Sequence, residues 1–423
     1  MLEKVYSGLP FFYNWDENRP GIISAHVKLK EAMDCRILEE AVNEALEIHK
    51  HFKVRLVIEN NNVHYEYNDK RAKVYEGVED DFSLIRDTQD YLFAFRLAGE
   101  MVYVDVFHLL SDGEGVIAFS KTVILLYYSK VYADKENWDE LIKARVKQYG
   151  SEYQKIDPYT VNKVAHREEK REQGEIPEFL QLYDEGDEEN FISMKWNYEA
   201  FRQKPQIGWV SPYVLVNVLL GNVIEQQCQS EESIGAYMPI NMRKRIGLRY
   251  SMYNCLSYTN VRHVKREDGM SLEEQCRAYT NSLKLHYGVE NSLHIMSEDA
   301  KFIEIMQNEK LSISRKCGIV RGITRRTRNI RGSFGMSYIQ FCSEEEVYRR
   351  YVAELNVCPP NSNIGIVCEM FKLGDEINLC VRYGKKQEQM ILMLIQEMND
   401  LGMCLDVKKV KDINTKIAIE SIK

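Results

Sequence analysis

His108-Leu109-Leu110-Ser111-Asp112-Gly113 places an imidazole, a carboxylate and a glycine in one short stretch. An imidazole changes charge near neutral pH. It can therefore take a proton from an attacking hydroxyl or amine and pass it on, which is general-base chemistry. The carboxylate four residues on can fold back to orient its neighbours. The glycine allows a tight turn or the close approach of a substrate. A bland reading stands beside this one: the His is structural and caps the helix that follows.

The flanking residues are suited to holding such a turn. Met101-Val102-Tyr103-Val104-Asp105-Val106-Phe107 is rich in β-branched and aromatic residues and predicts a buried strand. Beyond the turn, Val116, Phe119, Val123, Leu126, Tyr127 and Val131 recur at helical spacing within 114–132. The polar turn thus leaves a strand and enters a helix.

His108-x-x-x-Asp112-Gly113 resembles the HxxxDG signature of the chloramphenicol acetyltransferase-like superfamily. That group includes peptide-synthetase condensation domains, alcohol acetyltransferases, plant BAHD acyltransferases and polyketide-associated acyltransferases. Two further segments are similar to the superfamily. Ile37, Leu38, Ala41, Val42, Ala45, Leu46 and Ile48 form an amphipathic helix that runs into His49-Lys50-His51-Phe52-Lys53-Val54-Arg55, close to an RHxxLRxR segment. Tyr237-Met238-Pro239-Ile240-Asn241-Met242-Arg243, followed by Asn254, resembles the "P-v-d-x-R … N" stretch. The three matches lie in the expected order and span nearly the whole chain. Two departures narrow the choice. Phe107 stands where many relatives carry a first histidine, leaving His108 as the base. Gly332-Ser333-Phe334-Gly335 only loosely echoes the plant DFGWG motif, which argues against that branch.

The resemblance implies an α/β fold of two chloramphenicol acetyltransferase-like subdomains arranged as a V-shaped pseudo-dimer, with one active centre where they meet. It implies that Asp112 is a structural anion paired with an arginine; Arg243 is the first candidate partner and Arg55 the second. A carboxylate held by a guanidinium stays ionised, so it positions and does not titrate. The expected activity is acyl transfer from a thioester, acyl-CoA or a phosphopantetheine arm, to an alcohol or amine. His108 would remove the acceptor proton and return it to the thiolate. The Gly113 amide and Asn254 would face the oxyanion. Asn254 and Arg243 are thus placed at the substrate, Ser111 is read as filler, and no covalent acyl-enzyme is expected. The alternatives are a free-standing condensation enzyme fed by a carrier protein, and a non-catalytic relative that binds a ligand or partner.

Bulk properties set limits. The 423 residues are 44% hydrophobic, enough for a large core in two domains or one. With 56 basic and 64 acidic residues the net charge is −8, which argues against a dedicated nucleic-acid binder. The ten cysteines form no CxxC pair and no cluster with zinc spacing, so neither a disulfide scaffold nor a metal is expected. That usage fits a reducing cytosol. No signal peptide is evident at Met1-Leu2-Glu3-Lys4, and no apolar run reaches the ~20 residues of a membrane span. The expectation is a cytoplasmic, monomeric protein with no tightly bound cofactor and no membrane partner.

The chain divides by pattern into 1–188 and 189–423, with a charge-dense stretch between them that includes 166–172 and 184–189. The first half predicts a strand at 21–29, a helix capped by Asp34, a hairpin across Asn60-Asn61-Asn62 and another across Ala98-Gly99-Glu100. The second predicts a strand at 191–201, a helix opened by Ser211-Pro212, strands at 233–240 and 255–264, and helices from Ser271 and Asn291. A hairpin across Leu373-Gly374-Asp375-Glu376 and a closing helix at 387–401 complete it. His49 and His51 read as cations at a helix C-terminus. Gly113-Glu114-Gly115 lacks the further residues of a phosphate loop. Arg321, Arg325, Arg326, Arg328 and Arg331 form a basic run with two readings. It is an exposed loop, or Arg325, Arg326 and Arg328 hold the phosphates of the CoA or phosphopantetheine donor.

Overall fold

The structure is a computed structural model. It describes residues 2–15, 21–77, 81–150, 156–161, 164, 178–183, 188–327, 331–339, 346–360, 364–410 and 415–418. Two mixed sheets dominate the α/β fold. The first has five strands in the order Val352–Cys358, Ile22–Leu29, Met101–Phe107, Phe93–Ala98, Val74–Glu76. The second has seven, in the order Leu256–Arg262, Gly235–Asn241, Phe334–Ile339, Ile366–Leu373, Glu376–Gly384, Glu189–Asn197, Asp406–Lys409.

The local chemistry explains most of these elements. Asp34 accepts hydrogen bonds from the Arg36 and Ile37 amides at 2.8 and 3.1 Å and so starts the Cys35–Ile48 helix. Asn60 and Asn61 both adopt positive φ between the strands Val54–Glu59 and Asn62–Tyr67, the two-residue turn favoured by strand twist. Ser271 and Glu274 form a reciprocal capping box at the head of Leu272–His286. Ser211 stands at the N-cap of Pro212–Cys228, yet its side chain makes no capping bond; the proline at the first position carries that start. The expected strand at 191–201 stops at Asn197, whose side chain caps a short helix, Tyr198–Arg202.

The helices Cys35–Ile48 and Gly113–Val131 pack together and bury their apolar faces in the core of the first sheet. Pro212–Cys228 and Glu388–Asp400 do the same for the second. The second sheet is apolar on both faces. Met336, Cys368 and Met370 belong to its own core, whereas Ile339, Phe371 and Cys380 belong to the core of the first half. That second face is the seam between the halves.

The chain also crosses the seam. Val352–Cys358, from the second half, pairs antiparallel with Ile22–Leu29 and completes the first sheet. Lys416–Ile417 pairs with Ser83–Leu84, and the Thr415 hydroxyl donates to Asp105 at 2.8 Å. Within the basic run, Arg321, Arg325 and Arg326 lie on the helix Ile313–Arg326, so that part of the expected loop is a helix terminus, while Arg331 lies beyond it outside any helix.

Candidate active site

The Met101–Phe107 strand delivers His108 to the seam. Its partner Ile22–Leu29 aligns Ile22 with Phe107, and the His108 amide donates to the Gly21 carbonyl at 2.8 Å. Phe107 is wholly buried, so the residue that replaces the first histidine serves the core.

Every residue of the turn is then tied to another element. The Asn254 amide donates to the His108 carbonyl at 2.9 Å. The Tyr65 hydroxyl donates to the Leu109 carbonyl at 2.8 Å, and His51 Nε2 lies 2.6 Å from the Leu110 carbonyl, to which it donates. The Ser111 hydroxyl donates to the Met252 carbonyl at 2.6 Å. Asp112 caps Gly113–Val131 through the Gly115 amide at 3.3 Å and accepts from the Cys255 amide at 3.1 Å. Arg243 closes the set with a bidentate pair to Asp112, Nη1 to Oδ2 at 2.9 Å and Nη2 to Oδ1 at 2.7 Å.

Arg243 is saturated inside the protein. Its remaining N–H groups reach the Ser251 and Tyr253 carbonyls at 2.8 and 2.9 Å and the Asn241 side chain at 3.4 Å. A guanidinium has five such donors in a fixed fork, and this site uses the whole fork. Arg243 and Asp112 are both buried, and the anion holds the guanidinium charged despite burial. Arg55, the second candidate partner, instead pairs with Glu66 at 2.6 and 2.9 Å.

His108 itself is 8% exposed. Phe11, on the Leu9–Asn14 helix, stacks on the imidazole with ring centroids 3.7 Å apart and 13° between planes. Nδ1 is buried with no hydrogen-bond partner of good angle. Burial lowers the His108 pKa from its ordinary value; its own carbonyl and the Asp112 charge oppose that only in part. The ring is therefore neutral at neutral pH, the form that accepts a proton.

Two glycines lie in close quarters here, Gly115 the more tightly because a backbone carbonyl is among its neighbours. A Cβ on Gly115 would sit 1.9 Å from Ser111 Oγ and 3.1 Å from the Met252 carbonyl; one on Gly113 would sit 2.6 Å from Ile339 Cδ1. The turn thus packs against both the 251–255 loop and the seam face of the second sheet.

The structure brings His108, Asp112, Gly113, Arg243 and Asn254 into one cluster. Arg325 and Arg326 are exposed on the last turn of Ile313–Arg326, a helix that packs on Leu9–Asn14, and Arg328 lies outside the described residues. Ser111 is no filler: it is fully buried and ties the turn to the second half. His49 and His51 are not cations at a helix end. Burial drives their pKa values down to about 3 and about 4, so both are neutral, with His49 Nε2 2.8 Å from the Thr122 hydroxyl. Phe11, Tyr65 and the pinning role of His51 carry no local signal in the sequence. Among the described residues, no group of His, Cys, Asp or Glu is arranged to hold a metal ion, and no helix is long and apolar enough to cross a membrane.

No protein-family model matches this sequence, and no curated protein matches it. Solved structures do. The starter condensation domain of rhizomide synthetase RzmA, in complex with C8-CoA and Leu-SNAC, superposes with a TM-score of 0.60 at 11% identity, covering 99% of this chain and 97% of its own. The chain has the condensation-domain fold. TRI101 of F. sporotrichioides, complexed with coenzyme A and T-2, superposes with a TM-score of 0.57 at 8% identity over 97% of this chain and 100% of its own. Polyketide synthase associated protein 5 from Mycobacterium tuberculosis gives 0.57 at 11% identity over 94% and 98%. Coverage of this extent makes the condensation-domain pseudo-dimer the architecture of the whole chain, with the two sheets above as its halves. At such low identity the likeness concerns the fold, and chemistry must be argued from the site.

Proposed function

We propose that this protein is an acyltransferase that moves an acyl group from a thioester, acyl-CoA in the first instance, to an alcohol or amine, with His108 as general base. The observation that carries this reading is a neutral, nearly buried imidazole on a turn whose every residue is fastened, at the seam of a condensation-domain fold. Rigid placement is what a base needs, because proton transfer depends on geometry first and pKa second. His108 takes the acceptor proton as the hydroxyl or amine attacks the thioester carbonyl. It then returns that proton to the leaving thiolate. Gly113, at the first turn of the Gly113–Val131 helix, offers an amide to the oxyanion at the positive end of the helix dipole.

Arg243 and Asn254 act in this reading as positioning residues. Arg243 has every donor engaged, and the Asn254 amide holds the His108 carbonyl. Arg325 and Arg326 remain the proposed contacts for donor phosphates, since both are exposed and their helix abuts the one that carries Phe11. Co-crystals of two proteins of this fold with CoA or C8-CoA support the choice of donor. We assign residues 1–188 and 189–423 to the two subdomains and place the protein in the cytoplasm.

The test is thiol release from a panel of acyl-CoA thioesters in the presence of pooled alcohols and amines. Turnover that falls roughly 10²- to 10⁴-fold in His108→Ala, with the loss mainly in kcat, is expected. A folded His108→Ala protein with full turnover refutes the mechanism.

A further inference from the structure

Glu369 is a buried carboxyl on the seam face that the mechanism above does not use. It lies on Ile366–Leu373, in register with Ser337 on one side and Cys380 on the other. Alternation along the strand turns Cys368 and Met370 into the core of the second half, and Val367, Glu369 and Phe371 toward the first. Phe371 pairs with Ile339, the residue in contact with Gly113. Glu369 is two residues from Phe371, about 7 Å along the strand. It therefore sits across the seam from the catalytic turn.

Its surroundings fit no structural role. The residue is 8% exposed, and Oε1 is buried with no hydrogen-bond partner. The groups that face it are the Ser337 hydroxyl, Glu114 and Asp112 from the turn and helix opposite, and Cys380 beside it on the sheet; Cys368 and Tyr213 lie near it on the other face of the sheet. None of them is a cation, and the Asp112 charge is already paired with Arg243. A buried carboxyl left with a spare oxygen and no counter-ion costs stability unless something else completes it.

We propose that Glu369 determines acceptor specificity, its carboxylate receiving a cationic amino group that the acceptor carries apart from its attacking hydroxyl or amine, so that the protein takes acceptors bearing such an ammonium in preference to plain alcohols. The term "acceptor" rests on the acyl-transfer reading, but the binding does not require turnover. An ammonium supplies N–H donors to the spare oxygen and the positive charge that the facing groups lack. Burial, with Glu114 and Asp112 adding to it, holds the empty carboxyl at about 8. The group is thus mostly protonated at pH 7, and seating an ammonium expels that proton. Affinity for an amine falls as pH drops below about 8 and levels off above it, until the amine itself deprotonates near pH 10.

The experiment is isothermal titration of the full chain with phenethylamine and phenethyl alcohol at pH 7, in buffers of different ionisation heat. The amine is expected to bind at least about tenfold more tightly and to release close to one proton. Glu369→Gln keeps the shape and the Ser337 contact of the neutral acid, so it should melt with the parent yet bind both probes alike with no proton released. Equal binding by the parent protein, a proton count near zero, or an amine preference retained in Glu369→Gln would each overturn the proposal. If the variant does not fold, the parent's proton count decides. Thiol release from acyl-CoA is scored separately: Glu369-dependent amine binding without it leaves this site standing and removes the acyl-transfer reading.

Discussion

Asp112→Asn tests the central structural claim, that one ion pair across the seam holds the turn that carries His108. Asparagine has the shape of aspartate, so the change removes charge without opening a cavity. It leaves Arg243 buried, still bonded to the Ser251 and Tyr253 carbonyls, but facing a neutral amide that offers one acceptor in place of two. Breaking one partner of a buried pair costs about 3–5 kcal/mol, most of it the uncompensated charge that remains. For a chain of 423 residues, at ~2.1 cal/mol/K of unfolding entropy per residue, that is a fall in Tm of about 3–6 °C. Turnover should fall as well, because the side-chain amide nitrogen takes the place of one oxygen, so either the Cys255 or the Gly115 amide loses its acceptor and the turn is held less firmly to the 251–255 loop. Differential scanning calorimetry and the thiol-release assay read the two effects. Asp112→Asn/Arg243→Met should regain part of the lost stability, since no charge is then left unpaired, but not the lost turnover. An Asp112→Asn protein with parental Tm and parental turnover would refute the claim that this pair holds the site.

Other consequences are as direct. His49 and His51 titrate in the unfolded chain near pH 6.5 but stay neutral in the fold down to about 3 and about 4, so the unfolded state binds protons first as pH falls. Stability is intact above pH 6.5 and should decline below it by up to about 1.4 kcal/mol per pH unit for each histidine; His49→Gln should flatten the slope by one such share, measured by urea unfolding from pH 7 to 5. The acid limb of the pH–rate profile should lie below the ordinary histidine value, because burial lowers the His108 pKa; a limb above pH 7 would assign it to another group. Gly115→Ala should cost about 1–3 kcal/mol by driving Ser111 from its site, and Gly115→Ala combined with Ser111→Ala should cost less than the sum of the two, which denaturant melts would show. Arg325→Ala/Arg326→Ala should raise the KM for acyl-CoA more at low than at high ionic strength; a KM unchanged at low salt leaves these residues a solvated helix end.

Local chemistry was legible because its signals are local. The strand before His108, the helix after it, the Asp34 cap and the Asn60-Asn61 turn each depend on residues a few positions apart, and their spacing states the structure directly. The resemblance of three segments pointed further, to the two-sheet architecture and to Arg243 as the partner of Asp112. Tertiary structure alone decided what surrounds His108. Ser111 and Met252 are 141 residues apart in the chain, Asn254 and the His108 carbonyl 146, and nothing in the composition of either segment announces the other. Phe11 looks like any core aromatic until its helix lays it on the imidazole. Val352–Cys358 reads as one more strand of the second half, yet it completes the first sheet, because an open strand edge is satisfied by whichever backbone reaches it. Glu369 is likewise an ordinary acidic residue in sequence. Only the register of its strand turns it toward the seam, since a shift of one residue would send it to the opposite face.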